Sequence, residues 1–197
     1  MRRNGWFLFA AVYFSGCLSL TQTGYLSDYK NLKRTDAYSK AFLNPDYAYQ
    51  AGQTLAVAQP ELARDLVIEA YQQKMFADYL KQSLEAQIQT KGLYTVVPGG
   101  GDLKLETHIG KLNPGNGFLR WFFGLGFGRS DIQVEARLKE SAGDKLVASY
   151  AYRRHDAGNA WFGLNMSEMD NDKQVQKNMG EVAKSFTKFL KKNLGED

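Results

Sequence analysis

Three segments alternate strictly between apolar and polar residues, and this period constrains the fold more than any other feature of the chain. In 103–112, Leu103, Leu105, Thr107 and Ile109 share one face, with Lys104, Glu106 and His108 on the other. In 131–140, Ile132, Val134, Ala136 and Leu138 alternate with Gln133, Glu135, Arg137 and Lys139. In 145–154, Leu146, Ala148, Tyr150 and Tyr152 line up. A two-residue period marks half-buried antiparallel strands, one face on a core and one in water. Ser141-Ala142-Gly143-Asp144 joins the last two as a hairpin.

Two helical periods flank this run. Phe76, Tyr79, Leu80, Ser83, Leu84 and Ile88 recur at three- and four-residue spacing, and Gly92 ends that helix. Val175, Met179, Val182, Phe186, Phe189 and Leu190 form the stripe of a C-terminal helix. Asp170 and Asp172 lie near its start, and Lys188, Lys191 and Lys192 near its end, as its dipole favours. Short strands are expected at 54–58 and 93–97. The expected fold class is α+β: a two-layer sandwich, an antiparallel sheet of about four or five strands with two helices packed on one face.

The N-terminus reads as a targeting signal. Met1-Arg2-Arg3-Asn4 is basic, Trp6 to Phe14 is apolar, and Ser15-Gly16 are small residues suited to cleavage. The apolar run is shorter than the roughly 20 residues a membrane span needs. Cys17 is the only cysteine of the 197-residue chain, which excludes an intrachain disulfide and a cysteine-rich metal site. A plain secretory signal, or an N-terminal helix with an incidental cysteine, are the other readings of this segment. The expected organisation is a signal over 1–16, an N-terminal segment over 17–52 and a globular domain over 53–197. The N-terminal segment holds Tyr25, Tyr29, Tyr38, Phe42, Tyr47 and Tyr49. Free tethers are poor in aromatics, so its later part is expected to lie against the domain, after an initial spacer.

Formal net charge is +4, and two of those charges belong to Arg2 and Arg3 and leave with the signal. The remaining bases are interleaved with acids, which argues against nucleic acid as a partner. No catalytic grouping is evident. His108 and His155 are the only histidines and lie far apart without an acidic cluster, so no metal site and no cofactor are expected. His155-Asp156 has no serine in a nucleophile-elbow context to serve. Asp102, Glu106, Asp131 and Glu135 read as residues of solvated strand faces rather than as a glycosidase pair. The expectation is a protein that is not an enzyme.

The segment 113–128 (NPGNGFLRWFFGLGFG) stands out. Its glycines lack the spacing and the following helix of a dinucleotide loop, and the Lys-Ser/Thr of a phosphate loop. It is either a long connection whose aromatics enter the core or a contact loop. In the second case Phe118, Arg120, Trp121, Phe122, Phe123, Leu125 and Phe127 would meet a membrane interface or a partner protein.

Phe14-Ser15-Gly16-Cys17 resembles the lipobox of bacterial lipoproteins, with Phe14 where Leu is usual. The resemblance implies that Cys17 becomes the acylated first residue. Leu18, rather than Asp, then implies sorting to the outer membrane. Each buried methylene of such an anchor contributes about 0.8 kcal/mol. Two further segments resemble lipoprotein families known only as domains of unknown function. Thr23 to Leu32 (TGYLSDYKNL) is similar to a G-[FY]-L-x-D-Y-x-x-L opening. Gly115-Asn116, Arg120 and Gly124-x-Gly126-x-Gly128 are similar to a G-N-x-x-x-R…G-x-G-x-G signature. The turn at 139–144 departs from the usual Asp followed by Thr-Gly. The resemblance implies a lipid-anchored envelope protein on the periplasmic face of the outer membrane, partnered by the membrane and by another envelope protein. It implies no activity. The alternative is a small-ligand carrier or hydrolase of envelope material with its site between the sheet and the 113–128 loop.

Overall fold

The computed structural model describes residues 20–115, 130–156 and 171–194. The three alternating segments form the longest strands: β6 (Leu103–Asn113), β7 (Ser130–Glu140) and β8 (Leu146–Asp156). Around them lie β1 (Lys33–Arg34), β2 (Ser39–Leu43), β3 (Thr54–Val57), β4 (Glu61–Leu62) and β5 (Thr95–Val97). The helices among the described residues are α1 (Ala70–Thr90) and α2 (Asn171–Leu194).

The described strands build one sheet in the order β1-β2-β8-β7-β6-β3-β5, with β4 also on β6. The fold is α+β as expected, but the sheet has eight strands rather than four or five, and it is mixed rather than antiparallel. β3 pairs in parallel with β5 and β6, and β4 in parallel with β6. The reason lies in α1, which carries the chain back from the end of β3 to the start of β5; such a crossover returns the next strand in the same direction. β1 and β4 have two residues each, too few to display a period. β2, with the sequence SKAFL, is nearly as short.

Both helices cover one sheet face. Phe76, Leu80, Leu84 and Ile88 of α1 and Val175, Met179, Val182, Phe186 and Leu190 of α2 join Leu105, Ile109, Val134, Leu138, Tyr150 and Tyr152 of the strands in a single buried cluster. These are the residues singled out by periodicity. Burying each large apolar side chain contributes roughly 1.5–3 kcal/mol.

Strand direction defines two ends. Asn113 pairs with Asp131, and Ser130 with Asp156. The β6–β7 connection and the chain after β8 therefore both leave from one end, termed the upper end below. α2 begins there too, because Asn178 Nδ2 donates to Ser130 Oγ over 3.2 Å. The hairpin at 141–144, where Asp144 adopts φ 56, closes the lower end.

Candidate functional site

The face of β6, β7 and β8 turned away from the helices is largely covered, where the alternation predicts a face in water. The segment 20–32 crosses it as a strap, so contact begins within the part expected to be a spacer. Leu26 and Leu32 are buried there with Ala151, and Leu20, Tyr25, Tyr29 and Phe42 pack around them. A second small core thus forms on the polar side of the sheet.

The centre of this arrangement is Glu135, whose side chain is fully buried. Its carboxyl group accepts from Thr23 Oγ1 at 2.5 Å, from the Tyr29 hydroxyl at 3.0 Å and from Gln133 Nε2 at 2.8 Å. A buried carboxyl group is tolerated only with such partners. Gln133 holds the start of the strap as well: Thr21 N donates to its Oε1 at 3.0 Å and its Nε2 donates to Thr21 O at 2.6 Å. Arg153 Nη1 reaches Thr21 Oγ1 at 3.2 Å while its Nη2 pairs with Asp131 at 3.0 Å.

Most residues of the TGYLSDYKNL motif have a task in the strap. Gly24, at φ 84, makes a turn that other residues rarely adopt. The Tyr29 hydroxyl receives the backbone N–H groups of Thr23, Gly24 and Leu26 at 3.2, 3.1 and 3.3 Å. Asp28 Oδ1 accepts the N–H groups of Lys30 and Asn31, and those bonds hold its carboxyl below the ordinary carboxylate range. Tyr25 stacks on His108 with ring centroids 4.8 Å apart, and the Arg137 guanidinium lies 4.1 Å from the Tyr25 ring centre. Burial pushes the Tyr25 hydroxyl up to about 12, against the opposing pull of Arg137.

His108 Nδ1 lies 4.0 Å from Glu135 Oε2. Burial lowers the His108 pKa below its ordinary value, an effect that the Glu135 and Glu61 charges only partly offset. Glu106 bonds to Lys104, Arg137 and Lys139 at 2.8, 3.0 and 3.2 Å. Burial alone would raise its pKa, but Lys104 and Lys139 draw it below the ordinary range. His155 pairs with Asp131 at 3.4 Å, on the other side of β7. The two histidines are therefore not brought together. Among the described residues, no group of three or more His, Cys, Asp or Glu side chains could hold a metal ion. No described helix is long and apolar enough to cross a membrane.

The bulge in β6 is part of the same design. Ile109 pairs with Val134 and Lys111 with Gln133, which leaves Gly110 unpaired. A Cβ at Gly110 would stand 2.6 Å from Thr23 Cγ2, so a side chain here would push the strap outward.

Cys17 and the proposed contact residues Phe118, Arg120, Trp121, Phe122, Phe123, Leu125 and Phe127 lie outside the described residues. Glu135, Gln133 and the Tyr25–Tyr29 pair were not singled out as a site by sequence reasoning. The signal available was the run of Tyr and Leu at 25–32, which needed an apolar surface to cover.

No curated protein matches the chain in sequence. Among solved structures, the fold is similar to protein XCC0632 from Xanthomonas campestris, described as family DUF330, at 16% identity and TM-score 0.50; 75% of this chain and 88% of that one align. Weaker likenesses include the PelC dodecamer from Paraburkholderia phytofirmans (10% identity, TM-score 0.46, 75% and 94% coverage). Another is lipoprotein GNA1162 from Neisseria meningitidis (13% identity, TM-score 0.41, 72% and 99% coverage). Residues 67–157, from just ahead of α1 to the end of β8, match the family model of a domain of unknown function, DUF4410, which agrees in kind with the unknown-function family suggested by the short motifs.

Proposed function

We propose that the protein is a non-catalytic lipoprotein of the bacterial envelope, tethered through Cys17 to the periplasmic face of the outer membrane, where it acts as a binding or assembly component. The observation that carries this reading is the position of the strap. Thr21 is fastened to Gln133 by two hydrogen bonds only four residues after Cys17. An extended chain spans at most about 3.6 Å per residue, so an acylated Cys17 would lie within about 14 Å of Thr21. The anchor would then hold the domain against the bilayer by its upper end, with no free tether between them.

The roots of the aromatic loop support the same orientation. Asn113 and Asp131, from which it springs, pair with each other next to Lys111 and Gln133. In this reading Phe118, Trp121, Phe122, Phe123, Leu125 and Phe127 meet the lipid interface or an envelope partner, with Arg120 placed for headgroups or acidic groups.

The deciding measurement is intact mass spectrometry of the membrane-extracted protein beside a Cys17→Ser variant. The expected wild-type species begins at Cys17 and carries acyl mass, which the variant lacks. An unmodified or differently cleaved chain refutes the anchor. The loop reading is checked separately by Trp121→Ser with Phe122→Ser, expected to leave the thermal midpoint unchanged while association with vesicles or crosslinked partners is lost. Unchanged association refutes it.

A further inference from the structure

Several lysines are matched by nearby acids: Lys74 with Asp78, Lys81 with Glu85, Lys104 and Lys139 with Glu106, and Lys184 with Glu181. Four cations gathered around one cleft are not. Between the outer edge of β2 and the last turns of α2 lies a cleft of about 730 Å³. Its walls carry Lys33 and Arg34 from β1 and Lys188 and Lys192 from α2. None of the four forms an ion pair among the described residues, and all are exposed. The single acid on the lining, Asp36, is taken up locally. Its carboxyl accepts from Ser185 Oγ at 2.5 Å and from Tyr38 N at 2.7 Å. Burial would raise the Asp36 pKa, but these bonds bring it below the ordinary range.

The cleft has an apolar floor in Leu43 and Phe189, and beside that floor the sheet edge is open. β1 pairs only with Lys40 and Ala41 of β2, so no described strand flanks Phe42 and Leu43 on that side. The direction of the free backbone groups follows from alternation. Ser39 O accepts Thr35 N on the β1 side, whereas Tyr38 O accepts Arg153 N on the β8 side. Residues 39, 41 and 43 therefore turn their backbone groups outward, and those of Leu43 face the cleft. An open edge of this kind accepts an added strand.

The spacing of charge fits the same occupant. Lys188 and Lys192 are one helical turn apart, about 6 Å along the axis. Alternate side chains of an extended strand are about 6.6 Å apart. Together these features describe a groove for an extended segment bearing acids at every second residue. We infer that this cleft docks an acidic peptide strand of a partner protein, which adds to the edge of β2 and sets its carboxylates between Lys33 and Arg34 on one wall and Lys188 and Lys192 on the other. The inference deepens the reading of the protein as a binding component and does not require the lipid anchor. Along α2, Lys192 lies about 20 Å beyond Asn178, which marks the upper end, so the groove opens toward the lower end and away from the proposed bilayer.

The test uses the full chain in detergent and a fluorescein-labelled synthetic peptide of alternating Glu and Val, read by anisotropy at low salt. Three comparisons accompany it: the same peptide with Lys for Glu, a version N-methylated on alternate residues, and Lys188→Glu with Lys192→Glu. The Glu peptide is expected to bind about tenfold more tightly than the Lys peptide and to lose about tenfold on charge reversal, each equal to about 1.4 kcal/mol. N-methylation is expected to weaken it by a similar factor, because it removes the N–H groups that pair with the edge. Lys188→Gln with Lys192→Gln gives the same reading without adding acid to the helix end. Equal binding of Glu and Lys peptides, or indifference to both pairs of substitutions, overturns the proposal. So does indifference to N-methylation. Binding of anionic phosphatidylglycerol vesicles that requires Lys188 and Lys192, with no binding of the Glu peptide, overturns it in favour of lipid. Cys17→Ser is expected to bind the peptide as the wild type does, which separates failure of this site from failure of the anchor.

Discussion

At the scale of single residues, the separation between strap and sheet is set by one methyl group meeting a glycine. Gly110→Ala places a Cβ 2.6 Å from Thr23 Cγ2, while the Thr23 hydroxyl is held by Glu135. The substitution is expected to cost about 1–2 kcal/mol, the range for overpacking a fitted contact, measured by urea unfolding. Thr23→Ser removes that methyl and keeps the hydroxyl, so the double variant should recover most of the loss. Additive losses would show that the contact is not the cause. Glu135→Ala strands the Thr23 and Tyr29 hydroxyls and Gln133 Nε2, at an expected cost of about 1–3 kcal/mol. His108 supplies a pH dependence. Its pKa is lowered on folding by burial, so the unfolded chain binds the proton more readily. Its contribution to stability is full above about 6.5 and falls as the pH drops below that value toward the folded pKa. The facing charges of Glu135, Glu61, Arg137 and Asp65 modulate this. A thermal midpoint that declines from pH 7.5 to 5.5, and declines less in His108→Gln, is the expected outcome.

At the scale of elements, the strap is secured chiefly by Leu26 and Leu32, which fill the second core with Ala151. Leu26→Asp buries a charge among apolar groups and is expected to detach the strap while leaving the helix-side core intact. Limited proteolysis should then cut within 20–32, at a rate the wild type does not show. An unchanged digestion pattern would mean the strap does not depend on this contact. The helices and long strands were legible because seven or more residues repeat one period; Phe76 to Ile88 and Leu103 to Ile109 are examples. That the aromatic N-terminal segment lies against the domain was legible from its tyrosines, but its place was not, because it follows no period and its partners Gln133, Glu135 and Arg137 occupy the polar phase of a strand. Alternation shows that two faces differ in chemistry, not that one is wet. The parallel pairing of β3 was concealed for a related reason. The order strand, helix, strand at 54–97 was read correctly, but nothing local in β3 or β5 states which neighbour either takes.

At the scale of the molecule, the two ends have different characters. The upper end carries the fastening of Thr21 and the roots of the aromatic loop, and the lower end carries the hairpin and the last turns of α2. If Cys17 anchors the chain, a nitroxide-bearing lipid should quench a fluorophore at Asn113 strongly and one at Ala142 weakly. Equal quenching would contradict the orientation. The long separations in the chain also govern the order of events in time. Thr21 finds Gln133 across 112 residues, and β2 pairs with β8 across a comparable span. Contacts of such range form slowly, since the chain must first close the intervening loop. The residues made first are therefore among the last to take their places, and until β8 exists the apolar side chains of the strap have no surface to cover. A nascent chain already fixed at one terminus would pass that interval with Leu26, Leu32 and Phe42 unprotected, so its yield depends on whatever shields it while it waits.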